Sequence, residues 1–592
     1  MAVFKLENFA GIAPAKSPRL LNTGLGQTAH NMTFDSGRLT PMKADLRLGS
    51  FGAGSGFTGN LVGSTKSIAW YDRVGYTPKL FQFEDSGVKF LESPIPEDSY
   101  ERGYWTGDDY PRMGTYTSMV SGSLNVYPST SFRLGIPAPT ARPGVTKAGT
   151  ASTTESVEDF SYVYTLVSDY GEEGPPSPPS NIISWTSPET ITISTPQSAS
   201  AFGSGYSFAN GKKRIYRANA GSNAAYFQFV AEIPFANTSL TDNRASAGLG
   251  EVLPSEGWVG PPNDDTSLYP DGPMQGLIAV GNGVFCGYAG KRLCFSEPYL
   301  PHAWPVQYRI TIEEEIMGLS ATNNGVVVMT KGFPYFVTGT DPAAMTAVQV
   351  DVAQSCLNTD SIVDMGEYVL YSGPDGLVQV SNTTGQVISK EFISPKQWNS
   401  DFYASTYKAF LYEGVYVAFW SSGSNHGGWI FDPRRPETAF STFEVNPTSV
   451  RGGITQKSTG ELFFIAADNL LRIIQFQAGG PQVRGSAKYK SRVFISQPTS
   501  MAAIKIVAQD YPVEFKVYAD GVLIAQQEIN KNSNGRFLTQ ASTLPANADG
   551  DIGASPIARL PANHGTEWEV EIISDYEVDE VTLASTIAEL NA

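Results

Sequence analysis

Five glycines in the middle of the chain, Gly283, Gly325, Gly366, Gly414 and Gly460, follow one another at spacings of 42, 41, 48 and 46 residues. Each sits in a turn between two short apolar runs. Asn282-Gly283 separates 277–280 from 284–288, and Asn324-Gly325 separates 317–321 from 326–329. Gly366-Glu367, Glu413-Gly414 and Ser458-Thr459-Gly460 do the same further on. Such turns accept the positive φ of tight hairpins. Pro374-Asp375-Gly376 adds a second hairpin within one repeat. Four short strands per roughly 45 residues is the repeat of a propeller blade. Ser67-Ile68-Ala69-Trp70, a turn around Gly75, and the runs 79–83 and 88–91 supply one or two more. The pattern therefore predicts a β-propeller of about six to eight blades. Its first strands should pair with the last blade, which removes exposed edges.

Apolar residues alternate with polar ones almost throughout, as in Trp568, Val570 and Ile572 between Glu567, Glu569 and Glu571. Period two is the mark of half-buried strands, and no long helical stripe interrupts it. The expected class is all-β and multidomain. Residues 1–140 read as an N-terminal arm with the first blade or blades, and 256–482 as the remaining blades. Between them, the Pro-rich linker 135–144 opens a β-sandwich at 141–255, with strands at 162–168, 191–194, 214–217 and 226–233. Its Arg-Ile-Tyr-Arg strand and its ending Thr238-Ser239-Leu240-Thr241-Asp242 resemble fibronectin type III-like domains. From 483 the turn period stops. A C-terminal β-sandwich is expected at 483–592, with the Asp520-Gly521 hairpin and a surface loop over 532–561.

Composition excludes several functional classes. Lys and Arg number 41 against 58 Asp and Glu, a net charge of −17, which argues against a basic nucleic-acid reader. At 41% hydrophobic residues the chain can fill cores, so disorder is not expected. Cys286, Cys294 and Cys356 are too few for a disulfide scaffold and read as buried thiols. His30, His302, His426 and His564 lie in distant segments and read as structural or surface residues. The longest apolar runs, such as 326–329 and 415–420, fall far below the roughly 20 residues of a membrane span. The first eight residues show no leader pattern, and synthesis in a reducing cytoplasm is expected.

The chain offers little catalytic vocabulary. Gly24-Leu25-Gly26-Gln27-Thr28-Ala29 and Gly54-Ser55-Gly56-Phe57-Thr58-Gly59 match glycine-rich nucleotide motifs, but neither has the strand before it and the helix after it that phosphate binding needs. Asp108-Asp109, Asp264-Asp265 and Glu313-Glu314-Glu315 are adjacent acids. Neighbours on a strand point to opposite faces, so they make poor acid/base pairs. Asn547-Ala548-Asp549-Gly550-Asp551 is an incomplete calcium loop. Lys212-Lys213-Arg214 and Arg434-Arg435 lack the interleaved aromatics of a single-strand binder. No catalytic, cofactor-binding or metal-ligating residue is assigned, and no enzyme activity or cofactor is expected.

Several phrases resemble one family. Phe9-Ala10-Gly11-Ile12-Ala13-Pro14, Gly26-Gln27-Thr28-Ala29-His30-Asn31 and Ser36-Gly37-Arg38-Leu39-Thr40-Pro41 look like the start of tail nozzle proteins (tail tubular protein B-like) of short-tailed bacteriophages. Phe295-Ser296-Glu297-Pro298 with Pro301-His302-Ala303-Trp304-Pro305 is similar to a phrase after the first central blade of that group. Arg492-Val493-Phe494, Gln509-Asp510-Tyr511-Pro512-Val513, Tyr518-Ala519-Asp520-Gly521 and Ala584-Ser585-Thr586 resemble its C-terminal domain. The resemblance implies a structural virion protein of the phage tail, made in the host bacterial cytoplasm. It implies a homohexameric ring below the portal and adaptor that extends the channel for genome ejection, with attachment surfaces for fibres or a needle. DNA would pass without sequence-specific binding. A propeller-based carbohydrate-binding or glycan-hydrolysing protein is the alternative, and another virion component, such as a fibre-like or minor head protein, is a third reading.

Overall fold

The computed structural model describes residues 2–34, 36–48, 61–72, 79–121, 128–198, 201–202, 205–220, 226–445, 449–474, 483–541 and 550–591. The fold is all-β, with propeller blades, an inserted sandwich and a C-terminal sandwich. The described α-helices, Tyr116–Val120 and Pro395–Ser400, are short. Among the described residues no helix is long and apolar enough to cross a membrane. The chain forms two compact units: Met1–Trp70 with Gly332–Pro334 and Val350–Ala592, and Tyr71–Lys331 with Tyr335–Gln349.

The first unit holds three blade sheets in sequence. One comprises Val363–Asp364, Val369–Gly373, Gly376–Ser381 and Thr384–Val387. The next comprises Lys408–Tyr412, Val415–Ser422, Asn425–Phe431 and Phe440–Phe443. The third comprises Val450–Thr455, Leu462–Ala466 and Leu471–Ile473. The first strand of the middle sheet packs against the first strands of both its neighbours, the side-by-side arrangement of propeller blades. Gly366, Gly414 and Gly460 each turn the chain from first strand to second. Gly414 has φ +81°, and a Cβ there would stand 2.6 Å from Arg434 Nη1. The second strands Val369–Gly373 and Leu462–Ala466 are buried at every position. With no position left to solvent, their sequences are continuous apolar runs rather than alternating ones.

The third blade takes its fourth strand from the N-terminal arm: Arg472 and Ile473 pair with Arg47 and Leu46. This is the expected closing pairing. Beside it, Arg484 bonds the buried carboxylate of Asp45, donates to the Glu444 carbonyl at 2.9 Å, and lies over the Phe443 ring.

The C-terminal sandwich is also built partly from the arm. One sheet runs Val3–Leu6, Val578–Ala584, Ala503–Ala508, Ile557–Arg559. The other carries Lys488–Ser491, Gly565–Ser574, Val513–Ala519, Val522–Lys531, Phe537–Ala541 and Gly550–Gly553, with Phe494–Thr499 also on Gly565–Ser574. Gly26–His30 joins this sheet to the 408–443 blade, antiparallel to Lys488–Ser491 and bridged to Thr442. The stretch 532–561, expected as a surface loop, instead contributes strands. These lie at or near sheet edges, where a few small and polar residues carry the pairing without an alternating apolar signature.

In the second unit, Gln275–Val280 opens a blade completed by Val284–Ala289, Arg292–Phe295 and Ile310–Thr311. Its first strand packs against Ile316–Thr322, which opens the next blade, and against Lys89–Glu92. Lys89–Glu92 pairs with Arg102–Thr106, Arg112–Thr115 and Phe132–Arg133. The run 88–91, read from sequence as continuing the 67–83 hairpin, therefore starts a separate blade. Arg102–Thr106 was hidden because buried polar ends flank its apolar centre.

The inserted sandwich places Gly144–Ala148, Thr190–Ser194 and Ser239–Asp242 in one sheet. Ile183–Trp185, Glu158–Val167, Lys212–Ala220 and Gln228–Pro234 form the other. Its first two strands fall in different sheets, whereas immunoglobulin-class sandwiches hold theirs in one. The core is lined by Tyr162, Tyr164, Ile191, Ile193, Ile215 and Val230. Tyr162 donates to Asp242 at 2.8 Å, as does Arg217, so the buried carboxylate is held from two sides. Lys213 is fully buried, and its Nζ donates to the carbonyls of Thr195 and Asn237, each at 3.1 Å.

Two predictions follow from these buried charges. Asp45→Ala should cost about 3–5 kcal/mol in urea unfolding, because it strands the Arg484 cation in the interior. Asp45→Leu with Arg484→Met should recover most of that, and a single variant as stable as wild type would refute the assignment. Burial pushes the Lys213 amine down to about 8 from its ordinary 10.5. The unfolded chain then binds more protons between these values, so wild-type stability should rise from pH 8 towards 10.5 relative to Lys213→Met. Amide exchange in Lys212–Ala220 reads this difference, and a pH-independent gap between the two proteins would count against it.

Candidate functional site

The charged residues singled out in the sequence are held in structural pairs. Asp108 accepts the Trp105 indole at 3.1 Å and pairs with Arg112 at 3.2 Å, while Asp109 turns outward with φ +56°. Arg133 grips Asp264 with two hydrogen bonds of 2.5 and 3.0 Å, and Asp265 accepts the Ser267 N–H. The Glu313 carbonyl accepts from Lys291 and Glu315 pairs with Lys331 at 2.6 Å, so the acidic triplet lies along a surface turn. Lys212 and Arg214 share Glu232, and Arg434 and Arg435 share Asp432.

The sulfur and imidazole groups are separated. Cys286 and Cys294 are on paired strands but enter different apolar clusters, so their thiols lie on opposite faces of the sheet. All three cysteines are free and buried, and burial pushes Cys294 up to about 11 and Cys356 up to about 12. These thiols stay protonated and unreactive at neutral pH. His30 Nδ1 meets Thr442 Oγ1 at 3.0 Å; His302 is buried edge-on against Trp258; His426 is near the surface. Burial lowers the pKa of both His30 and His302, which favours their neutral forms. Among the described residues no group of three His, Cys, Asp or Glu stands close enough to hold a metal. Gly26–Ala29 begins a strand, so no helix N-terminus follows the glycines there. Gly54–Gly59, the turn at Gly75 and 547–549 lie outside the described residues.

A buried network in the second unit was not visible from sequence. Arg102 bonds Asp98 and Glu172, each at 2.8 Å. Next to Glu172, Glu173 accepts Thr165, Tyr216 and Arg214, each at 2.7 Å. All its members are satisfied by one another, so the cluster mounts the sandwich loop rather than presenting a reactive group. Its trace in the sequence is two adjacent acids, Glu172 and Glu173, directly before Gly174-Pro175-Pro176.

What the structure does bring together is the arm and the C-terminal sandwich. Phe9 N–H donates to the Gly37 carbonyl at 2.8 Å, and Gly26 N–H to Gly11 at 2.9 Å. Leu39 pairs with Val578, and Val3 with Ala584. Tyr489 donates to the Gly24 carbonyl and meets the Phe9 ring edge-on at 5.3 Å. Asn31, at φ +56°, accepts the Glu444 N–H and donates to Ser486. Phe4 stacks on Phe494 at 4.9 Å.

The outer face of this sandwich is a charge ladder. Glu571 accepts Lys516 and Lys488, each at 3.1 Å, and Tyr518 at 3.3 Å. Burial opposes ionisation of Glu571, yet the two lysines outweigh it and hold its pKa below the ordinary value. Lys490 pairs with Glu569, and Arg19 with Glu567 at 2.5 Å. The alternation of Glu567, Glu569 and Glu571 with apolar residues was the signal for this outward row.

No family model matches the chain, and no curated protein matches it. Among solved structures, it is similar to Hsv2 of Kluyvelomyces marxianus, at 9% identity and a TM-score of 0.25 over 60% of this chain and 93% of that one. It is also similar to YCF48 from Cyanidioschyzon merolae, at 7% identity and a TM-score of 0.26 over 50% of this chain and 94% of that one.

Proposed function

We propose that the chain is a structural virion protein, a tail nozzle subunit of a short-tailed bacteriophage. One observation carries the reading. The phrases 9–14, 26–31 and 36–41 are knit to one another by the Phe9–Gly37 and Gly26–Gly11 hydrogen bonds, and the arm that carries them meets the C-terminal sandwich through Leu39–Val578, Pro18–Val493 and Val3–Ala584. Several of the stretches that resemble one family thus help fasten the arm to the C-terminal sandwich. The pairing of the acidic and basic clusters with each other fits a building role.

In this reading, copies assemble as a homohexameric ring below the portal and adaptor, with fibre or needle proteins attached outside. Ring closure needs heterologous contacts between identical subunits. Six copies would carry six times the charge of −17, or −102. A wall without excess cations holds DNA phosphates weakly, so the genome can slide through.

Electron microscopy of whole virions, with the chain marked by antibody, tests the assignment. The expected result is a six-fold ring with a central hole between the capsid and the distal tail. Absence of the chain from virions, together with glycan binding or cleavage by a stable monomer, would replace this reading with the carbohydrate-directed alternative. A pore surface that is net basic throughout would overturn the sliding argument.

A further inference from the structure

The inserted sandwich is rooted in the blades at a point occupied by a histidine. The chain enters the sandwich along 134–136 and leaves it along 258–260. These two segments touch: a Cβ on Gly135 would stand 2.6 Å from Gly260 Cα and 3.5 Å from the His302 carbonyl oxygen. His302 belongs to the blade loop that follows Arg292–Phe295. In that loop Trp304 N–H donates to the Val259 carbonyl at 2.8 Å, and the His302 ring meets Trp258 edge-on. The sandwich loop 168–174 reaches the same place. A Cβ on Gly174 would stand 2.5 Å from Ile136 Cγ2, and the His302 ring faces the Glu173 main chain. Entry, exit and loop of the sandwich thus all meet one blade loop at His302.

The imidazole is 5% exposed, and its Nε2 is buried with no hydrogen-bond partner among the described residues. The charged groups that face it are Arg102 from the blade strand and Glu172 and Glu173 from the sandwich loop. The carboxylates favour a proton on the ring and Arg102 opposes it, but burial is the largest influence and favours the neutral form. Both carboxylates are already committed. Glu172 accepts Arg102 at 2.8 Å and Ser168 at 3.3 Å, and Glu173 accepts Thr165, Tyr216 and Arg214. A proton taken up at Nε2 therefore makes a buried cation whose new N–H has no acceptor. Opening the root gives that N–H to water. The open form binds the proton more tightly than the closed one, so the closed form is favoured above the ordinary 6.5 and loses ground as pH falls below it.

We propose that His302 is an acid-sensitive latch at the root of the inserted sandwich. With the ring neutral, the entry, exit and sandwich loop stay closed on the blades; a proton on Nε2 releases them. The inference is independent of the nozzle reading.

The test is hydrogen exchange on the full-length chain between pH 7.5 and 5.5, corrected for the intrinsic pH dependence of exchange. In wild type, opening of 134–137, 170–174 and 258–262 should increase below pH 6.5, by at most about tenfold per pH unit, the limit for one proton. The blade strand Gly325–Thr330 should not change. His302→Gln, which takes up no proton, should show a root whose opening is independent of pH. Root protection in wild type that does not respond to pH, an equal response in His302→Gln, or loss of protection in all segments together would each overturn the latch. Wild-type protein labelled at its four histidines gives a second reading by NMR that needs no folded variant. The His302 imidazole should titrate below 6.5, and titration at or above that value would overturn the proposal. Neither outcome bears on the nozzle reading, which the virion images decide separately.

Discussion

The first unit depends on its earliest residues being buried among its latest. Val3–Leu6 hydrogen-bonds to Val578–Ala584, Gly26–His30 lies between a blade and the C-terminal sandwich, and Leu46–Arg47 completes another blade. These ladders are only a few residues long, and a net hydrogen bond contributes about 1 kcal/mol. The stronger hold comes from the side chains between them. Leu6, Phe9, Leu25, Met32 and Leu39 are all buried, at about 1.5–3 kcal/mol for each large apolar side chain. The arm is therefore core, although it runs as scarcely more than a ribbon of turns and two- to five-residue strands.

Charge is used inside as well as outside. Arg217–Asp242, Arg102–Asp98 and Arg484–Asp45 are buried pairs in three different sheets or joints. A buried pair adds little net stability, since desolvation offsets attraction, but removing one partner is expensive. Such pairs fix relative position more than they strengthen packing. That gives a physical role to part of the sparse 17% of charged residues.

Much of the architecture was legible because hairpins need particular residues. Glycine spacing located the first turn of five successive sheets, and the apolar runs after those turns proved to be their second strands. Strands such as Val513–Ala519 and Gly565–Ser574 stood out because one face is wet. Pairing partners hundreds of residues away leave no local trace, so the arm's place in the C-terminal sandwich was not readable beyond the expectation of a closing strand. Arg102–Thr106 escaped because a buried arginine looks like a surface one until its carboxylates are seen. The ladder was half legible: Glu567, Glu569 and Glu571 announced an outward row, but Lys488 and Lys516 as its counter-charges required the fold.

The stitching of Val3–Leu6 to Val578–Ala584 has a consequence in time. A ribosome adding about 5–20 residues per second needs roughly half a minute to two minutes between making these two strands. Throughout that interval Val3–Leu6 lacks the strand it pairs with. The second unit draws only on 71–331 and 335–349, so its strands are complete while the arm still waits. The strand Val3–Leu6 thus stays unpaired while nearly all the residues between it and its partner are made, and one of the last strands to emerge is the one that pairs it.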